Sequence, residues 1–233
     1  IGVIKMEVVR NSEPENKFLH EVRNLATSKG IVLIFDECTS GFRETFGGLH
    51  KKFGVDPDMA IFGKALGNGY AISAVIGRSE IMESAQNTFI SSTFWTERIG
   101  PTAALKTLEV METMRSWKII TELGLQISRR WRQLAEEHQL DIHTFGLAAL
   151  PTFSFKSENN LAYKTLITQE MLKTGYLAAN SVYVCTEHTE QIVNEYFEAL
   201  APIFSVIYEC ENGQNIDDLL EGPICHSGFK RLN

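Results

Sequence analysis

The stretch DMAIFGKALGNG, residues 58–69, sets the architecture of this 233-residue chain. Its apolar run, residues 59–62, predicts a short buried strand that ends just before Lys64, and the glycines that follow permit a tight turn with unusual backbone angles. A second apolar run, residues 31–35, ends in Asp36, which lies 28 residues before Lys64. Continuous apolar runs are typical of strands that are buried on both faces, so both runs indicate strands of a parallel sheet.

The start of the chain supports this arrangement. Residues 2–9 predict a first strand, and apolar side chains at helical spacing after it predict a helix that Ser12 and Pro14 begin and Gly30 ends. Strand, helix and strand over about 35 residues form a βαβ unit, which places the two strands parallel in one sheet.

The pattern becomes more helical further along the chain. We expect a strand over residues 72–76, a short helix over 80–86 capped by Ser79, helical structure over 98–140 with a break near Ser116, a strand at Phe153 and Phe155, a helix over 159–173, a strand over 182–185 and a last helix from 189 to 208. The change of character near the break predicts a domain boundary there, with domains over residues 1–115 and 116–233.

Composition excludes several classes of function. The net charge is −7 and no long basic block occurs, which argues against nucleic-acid binding. No apolar stretch reaches the length of about 18 residues that a membrane helix requires, so we predict no membrane association. The six histidines are scattered and no Cys-x-x-Cys pair occurs, so we predict no metal site and a reduced, cytoplasmic protein.

The first residues predict a chain that continues a longer protein. They resemble an interior strand and lack an initiator methionine. We therefore expect this sequence to be the later part of that protein.

Lys64 allows two interpretations. The ordinary one is a solvated surface lysine. The alternative is a partly desolvated amine with a lowered pKa at the end of a buried strand, which is the kind of amine that forms Schiff bases with carbonyl cofactors. A P-loop is excluded, because Lys64 is followed by Ala65 and the required earlier glycine is Asp58.

Asp36 has two interpretations as well. It could cap a loop, or it could belong to a site, because functional residues gather at the carboxyl ends of strands in open α/β sheets. A carboxylate there could keep a pyridine nitrogen protonated, and together with Lys64 this points to pyridoxal 5′-phosphate (PLP) chemistry. Glu37 should point to the opposite side and form a structural ion pair.

A hydroxyl and aromatic cluster follows over residues 91–96, SSTFWT. It could be an ordinary turn, or its hydroxyls and backbone amides could bind a phosphate group.

Two segments carry a family resemblance. Residues 36–43, DECTSGFR, and residues 53–69, FGVDPDMAIFGKALGNG, closely resemble the class III aminotransferases, and most of all their glutamate-1-semialdehyde aminomutase-like branch. The resemblance extends from Met6 to Thr189. It implies an α/β chain of PLP fold-type I, with the C-terminal part of a large PLP-binding parallel-sheet domain over residues 1–115 and a small α+β domain over 116–233.

The resemblance also implies roles for single residues. Lys64 would bind PLP covalently and then move protons as acid and base, while Asp36 would pair with the pyridinium nitrogen. Cys38 would pack against the cofactor ring. Thr93 would reach the cofactor phosphate of the neighbouring subunit, which implies a homodimer, and Glu7 matches an acidic position near the substrate pocket.

The sequence departs from the family in two respects. The glycine-rich phosphate loop that the family carries before this region has no counterpart here, and the segment after Thr93 is longer than usual. We expect an enzyme that transfers an amino group between small amino and keto substrates, as aminotransferase or aminomutase. The alternatives are another PLP reaction, such as racemisation or decarboxylation, and a non-catalytic fragment or cofactor-free interaction domain.

Overall fold

The computed structural model describes residues 1–90, 93–94 and 96–228. They divide into two compact units, Ile1–Thr121 and Glu122–Asn233. The division of the chain into a PLP-binding part over residues 1–115 and a small domain over 116–233 stays a prediction. No helix in the described ranges is both long and apolar enough to cross a membrane.

The first unit contains a four-stranded sheet in the order β1-β2-β3-β4. Its strands are β1 Val3–Met6, β2 Val32–Asp36, β3 Met59–Phe62 and β4 Ala74–Gly77. The first three strands are parallel, as the sequence predicts, whereas β4 runs antiparallel to β3. The reason is the short connection over residues 63–73, because a parallel neighbour requires a crossover of about a dozen residues or more.

The described residues of the first unit include the helices α1 Phe18–Lys29, α2 His50–Phe53, α3 Ser79–Met82 and α4 Ile99–Met114. The predicted start of α1 at Ser12 and Pro14 is wrong. Asn16 and Lys17 have left-handed φ angles of 51° and 59°, so helical geometry begins only at Phe18. The predicted end is confirmed: Gly30 has a φ of 64°, and its amide bonds back to the last turn.

A small apolar cluster fixes the segment that follows β3. Ala60 and Phe62 of β3 pack with Leu66 and with Ala104 of α4, and all four are buried. The chain is therefore anchored on both sides of Lys64, which leaves the turn between Phe62 and Leu66 with little freedom to move.

The second unit is built from helices and a β-hairpin. Helix α5, Ser116–Glu137, crosses the boundary between the units, and the predicted helix break near Ser116 is confirmed. The hairpin pairs β5 Ile142–Leu147 with β6 Leu150–Phe155, and the later helices are α6 Asn160–Lys173 and α7 Glu190–Glu211.

The predicted strand over residues 182–185 is wrong. The Val182 and Val184 amides donate to Pro151 and Ala149 carbonyls at 3.0 and 3.2 Å. The ladder is nevertheless limited to an isolated bridge between Thr152 and Ser181. The segment therefore follows the hairpin edge without becoming a strand.

A buried carboxylate connects the elements of the first unit. Asp58, only 5% exposed, accepts at Oδ2 from the Leu33 amide at 2.7 Å and from Arg23 Nη1 at 2.9 Å. Its Oδ1 lies 3.2 Å from Arg78 Nη1. Burial alone would raise the pKa of Asp58, but these donors outweigh burial and hold the pKa below its ordinary value of 3.8.

We expect Asp58→Ala to lower the free energy of unfolding at pH 7 by about 2–4 kcal/mol, because it leaves the Leu33 amide and Arg23 without their acceptor. Since the folded-state pKa is depressed, the stabilisation by Asp58 is present above the unfolded-state pKa and is lost as the pH falls below about 3.8. Denaturant unfolding of the wild type between pH 7 and pH 3 should show this loss. The free energy of unfolding of Asp58→Asn should lack the part of the pH dependence that Asp58 contributes.

The exposed neighbour Asp56 provides the control. Asp56→Ala should change the free energy of unfolding by less than about 0.5 kcal/mol. Equal stabilities of the Asp56→Ala and Asp58→Ala variants would contradict the role of the Asp58 network.

Candidate functional site

Lys64 lies at the first position of a single 3₁₀ turn, Lys64–Leu66, directly after β3. Its φ is 42°, in the left-handed region that lysine rarely adopts. The Leu66 amide closes the turn on the Gly63 carbonyl at 2.9 Å. Glycine at position 67 allows the backbone of Tyr70 to pack closely against it, because a Cβ there would lie 2.1 Å from the Tyr70 carbonyl oxygen. Strained backbone of this kind is held by its surroundings and is concentrated at functional sites.

Asp36 lies at the same edge of the sheet as Lys64. It is the last residue of β2 and pairs across the parallel ladder with Ile61 of β3, three residues before Lys64. The carboxyl ends of the two strands are therefore adjacent, which brings a carboxylate and an amine to one edge, as the sequence predicts for functional residues in open α/β sheets.

Donors from two residues, Lys5 and Cys38, contact the Asp36 carboxylate. Its Oδ2 lies 2.8 Å from Lys5 Nζ, from β1, and its Oδ1 accepts from the Cys38 amide at 3.2 Å. The Lys5 ammonium holds the pKa of Asp36 below its ordinary value of 3.8. Asp36 is therefore an anion at neutral pH.

The residues after Asp36 approach the Lys64 turn. Thr39 Oγ1 accepts a hydrogen bond from Lys64 Nζ at 2.9 Å. Cys38 Sγ lies beside Gly63, where an added Cβ would be 3.4 Å from the sulfur. Burial raises the pKa of the Cys38 thiol, and the Asp36 carboxylate raises that pKa further, so this cysteine is a protonated, packing side chain and a poor nucleophile.

Glu37 faces the opposite side of the strand, as predicted, and is completely buried. Its Oε1 accepts from the His50 amide at 3.0 Å and contacts His50 Nδ1 at 2.9 Å, and its Oε2 accepts from the Ser40 hydroxyl. Burial alone would raise the pKa of Glu37, but the bonds from His50 and Ser40 outweigh burial and lower the pKa. The predicted structural pairing of Glu37 is confirmed, and the loop over residues 37–50 is tied to the core by it.

The other predicted residues lie further from these contacts. Thr93 is exposed in a turn, and its neighbours Ser91, Ser92 and Trp95 lie outside the described residues. Glu7 is half-buried, and its Oε2 lies 3.7 Å from Arg10 Nε. Its charge also raises the pKa of Lys5, although Asp36 raises that pKa more. The roles predicted for Thr93 and Glu7 stay predictions.

The structure adds to what the sequence alone predicts for three residues at the sheet edge, Lys64, Lys5 and Thr39. Of the two interpretations of Lys64, this chain shows the solvated lysine, because the residue is exposed. Lys5 and Thr39 were missed as members of the edge. A charged residue inside the apolar strand β1 was the available signal for Lys5, whereas no pattern distinguishes Thr39 from an ordinary loop threonine.

The cysteines are all unpaired thiols, at positions 38, 185, 210 and 225. Within the part of the chain that the structure describes, no three His, Cys, Asp or Glu side chains are placed together to hold a metal ion.

Comparison with known proteins connects this edge to one family. Residues 11–196 match the family model described as "Aminotransferase class-III". The 3-aminobutyryl-CoA aminotransferase of Cloacimonas acidaminovorans (strain Evry) is 35% identical over 193 residues, which cover 80% of this chain and 47% of that protein. The glutamate-1-semialdehyde 2,1-aminomutase of Methanocaldococcus jannaschii is 28% identical over 208 residues, covering 82% and 49%. The chain spans about half the length of the curated relatives it matches.

Solved structures show the same fold. The PLP internal aldimine form of the FumI protein of Sphingopyxis sp. MTA144 matches with a TM-score of 0.82 at 22% identity, covering 94% of this chain and 55% of that one. An S-selective transaminase from Arthrobacter sp. with alanine bound matches with a TM-score of 0.73 at 18% identity, covering 90% and 52%. The predicted α/β fold of PLP fold-type I, with a partial large domain, is confirmed.

The left-handed backbone of Lys64 yields a stability prediction. We expect Lys64→Gly to be more stable than Lys64→Ala by about 1 kcal/mol, because only glycine adopts a positive φ without steric cost. Both variants lose the amine, so the difference isolates the backbone. Denaturant unfolding of the two proteins measures it, and an alanine variant as stable as the glycine variant would show that the turn is unstrained.

Proposed function

The chain belongs to the class-III aminotransferases, and on that premise we propose that it supplies the catalytic lysine of a PLP-dependent enzyme that transfers an amino group between small amino and keto substrates. The family resemblance predicted from residues 36–43 and 53–69 is confirmed by the family match. Both an aminotransferase and an aminomutase are among the relatives. The proposal therefore includes transfer of the amino group to a second molecule and transfer within one molecule.

One observation carries the proposal: Asp36 and Lys64 lie at the ends of adjacent parallel strands, on one edge of the sheet. PLP requires an amine for covalent attachment and an anion beside its ring nitrogen. Lys64 supplies an exposed amine and Asp36 an ionised carboxylate. The residues present therefore fit this cofactor.

Lys64 has two proposed tasks. Its Nζ would be the atom that holds the cofactor, and the same atom would serve as base and acid for the proton on the carbon that carries the amino group. The Thr39 hydroxyl, 2.9 Å from Nζ, orients the amine. When bound, PLP supplies an electron sink that makes this proton acidic.

Asp36 and Cys38 would hold the ring. The Asp36 carboxylate would accept a hydrogen bond from the protonated ring nitrogen, and the Cys38 amide orients that carboxylate through its other oxygen. The protonated, partly buried Cys38 thiol provides a packing surface for the ring.

We propose a homodimer in which Thr93 reaches the cofactor phosphate of the neighbouring subunit, and a position near the substrate pocket for Glu7. Thr93 is exposed, and the nearby Phe89 and Ile90 are 95% and 57% exposed. Exposed apolar side chains next to an exposed hydroxyl suit a surface that a second subunit covers. The four unpaired cysteines support a reduced, cytoplasmic location.

Reductive trapping tests the function. The full-length protein that contains this chain, incubated with PLP and reduced with borohydride, should carry the cofactor on Lys64 in mass spectra and should transfer amino groups. Lys64→Ala should lose both the adduct and the turnover. Asp36→Asn should bind PLP roughly 10- to 100-fold more weakly, as expected when a charged hydrogen-bond acceptor is lost.

The exposed Lys106, which pairs with Glu109 on α4, gives a matched control. Lys106→Ala should retain both the Lys64 adduct and turnover. Labelling spread over several surface lysines, or turnover in the Lys64→Ala variant, would refute the proposed function.

A further inference from the structure

A lysine from the neighbouring strand occupies the carboxylate that the proposed function assigns to the cofactor. Lys5 is the charged residue of β1, whose sequence is otherwise apolar, Val3–Met6. Its Nζ lies 2.8 Å from Asp36 Oδ2, while Asp36 Oδ1 accepts from the Cys38 amide. Both carboxylate oxygens therefore already have donors from the chain itself.

This ion pair is not needed to keep Asp36 charged. An aspartate with the ordinary pKa of 3.8 is ionised at neutral pH without a neighbouring cation. Nor does the pair contribute much to stability, because the Lys5 side chain is 55% exposed and that of Asp36 is 24% exposed. What the contact between Lys5 and Asp36 does instead is to occupy the carboxylate oxygen Oδ2 as a hydrogen-bond acceptor.

We propose that Lys5 competes with the cofactor for Asp36: its ammonium occupies the carboxylate oxygen that a protonated ring nitrogen requires, so cofactor binding has to displace Lys5. This inference rests on the proposed function. Two cations cannot share one acceptor oxygen at hydrogen-bond distance without repulsion. The exposed, unbranched lysine stem can swing into solvent, which makes the displacement sterically easy.

Two carboxylates, those of Asp36 and Glu7, attract the Lys5 ammonium. Besides Asp36, the half-buried Glu7 is a carboxylate close enough to act on Lys5. Glu7 lies 3.7 Å from Arg10, a long and exposed contact that leaves room for a second cation. Lys64 and Cys38 are further titratable groups at this edge, and Lys64 bonds to Thr39 instead of Asp36.

Binding of pyridoxamine 5′-phosphate tests the competition, because this analogue carries the same ring but does not bond covalently to Lys64. Its dissociation constant is measured by equilibrium dialysis on the full-length wild type and on Lys5→Met, Lys5→Arg and Lys156→Met. Lys5→Met should bind about two- to fivefold more tightly, the range set by the strength of a partly exposed ion pair. Lys5→Arg keeps the charge and should bind like the wild type.

Lys156→Met is the matched control, since it removes the same charge from an exposed lysine that pairs with Asp141 in the second unit. It should leave binding unchanged. If Lys5→Met fails to fold, Lys5→Gln replaces it, because a neutral polar side chain of similar length suits an exposed strand position. Binding by the neutral variant that is equal to or weaker than that of the wild type would overturn the competition, even with PLP trapped on Lys64.

A second measurement needs no cofactor. Carboxyl titration by NMR should give Asp36 a higher midpoint in Lys5→Met than in the wild type, because the variant lacks the ammonium that favours the anion. Equal midpoints would show that the ion pair is absent in solution and would overturn the inference independently of PLP. Failure of the wild type to carry PLP on Lys64 would instead refute the proposed function, and this inference with it.

Discussion

The Asp58 carboxylate sets the geometry on which the edge of the first unit depends. One buried side chain accepts from the β2 amide of Leu33 and from Arg23 of α1, and it contacts Arg78 directly after β4. These contacts align the beginning of β3 with β2 in parallel register. That register carries through to Ile61 opposite Asp36, and hence to Lys64 three residues further on. The placement of Asp36 and Lys64 at one end of the strands therefore depends on a structural ion pair at the other.

Adjacent carboxylates at the end of β2 have opposite tasks because strand side chains alternate between faces. Glu37 turns inward, is completely buried and holds His50 and Ser40. Asp36 remains accessible and charged. The loop that Glu37 fixes brings Thr39 to the Lys64 amine, so the buried Glu37 helps to arrange the side chains around the partly exposed Asp36.

Much of this arrangement could be predicted from local sequence. The apolar run over residues 59–62 coincides with β3, and Gly30 ends α1 as expected. The failures lie where local pattern carries no information. The left-handed residues before Phe18 delay α1, and β5 mixes apolar and polar residues without the regular alternation that predicts a strand. The Lys5–Asp36 pair depends on the adjacency of two strands that are distant in sequence, and the exposure of Lys64 depends on which groups surround the turn.

The left-handed backbone at Lys64 has an evolutionary consequence. Glycine or asparagine suits a positive φ better than lysine does, and Asn68 in the same loop has a φ of 45°. In a lineage that did not use the amine, substitution of Lys64 by glycine or asparagine would raise stability, and no selection would oppose it. Under the proposed function, lysine is kept at this position for its amine at a cost in stability, and its loss in a descendant would accompany loss of that function.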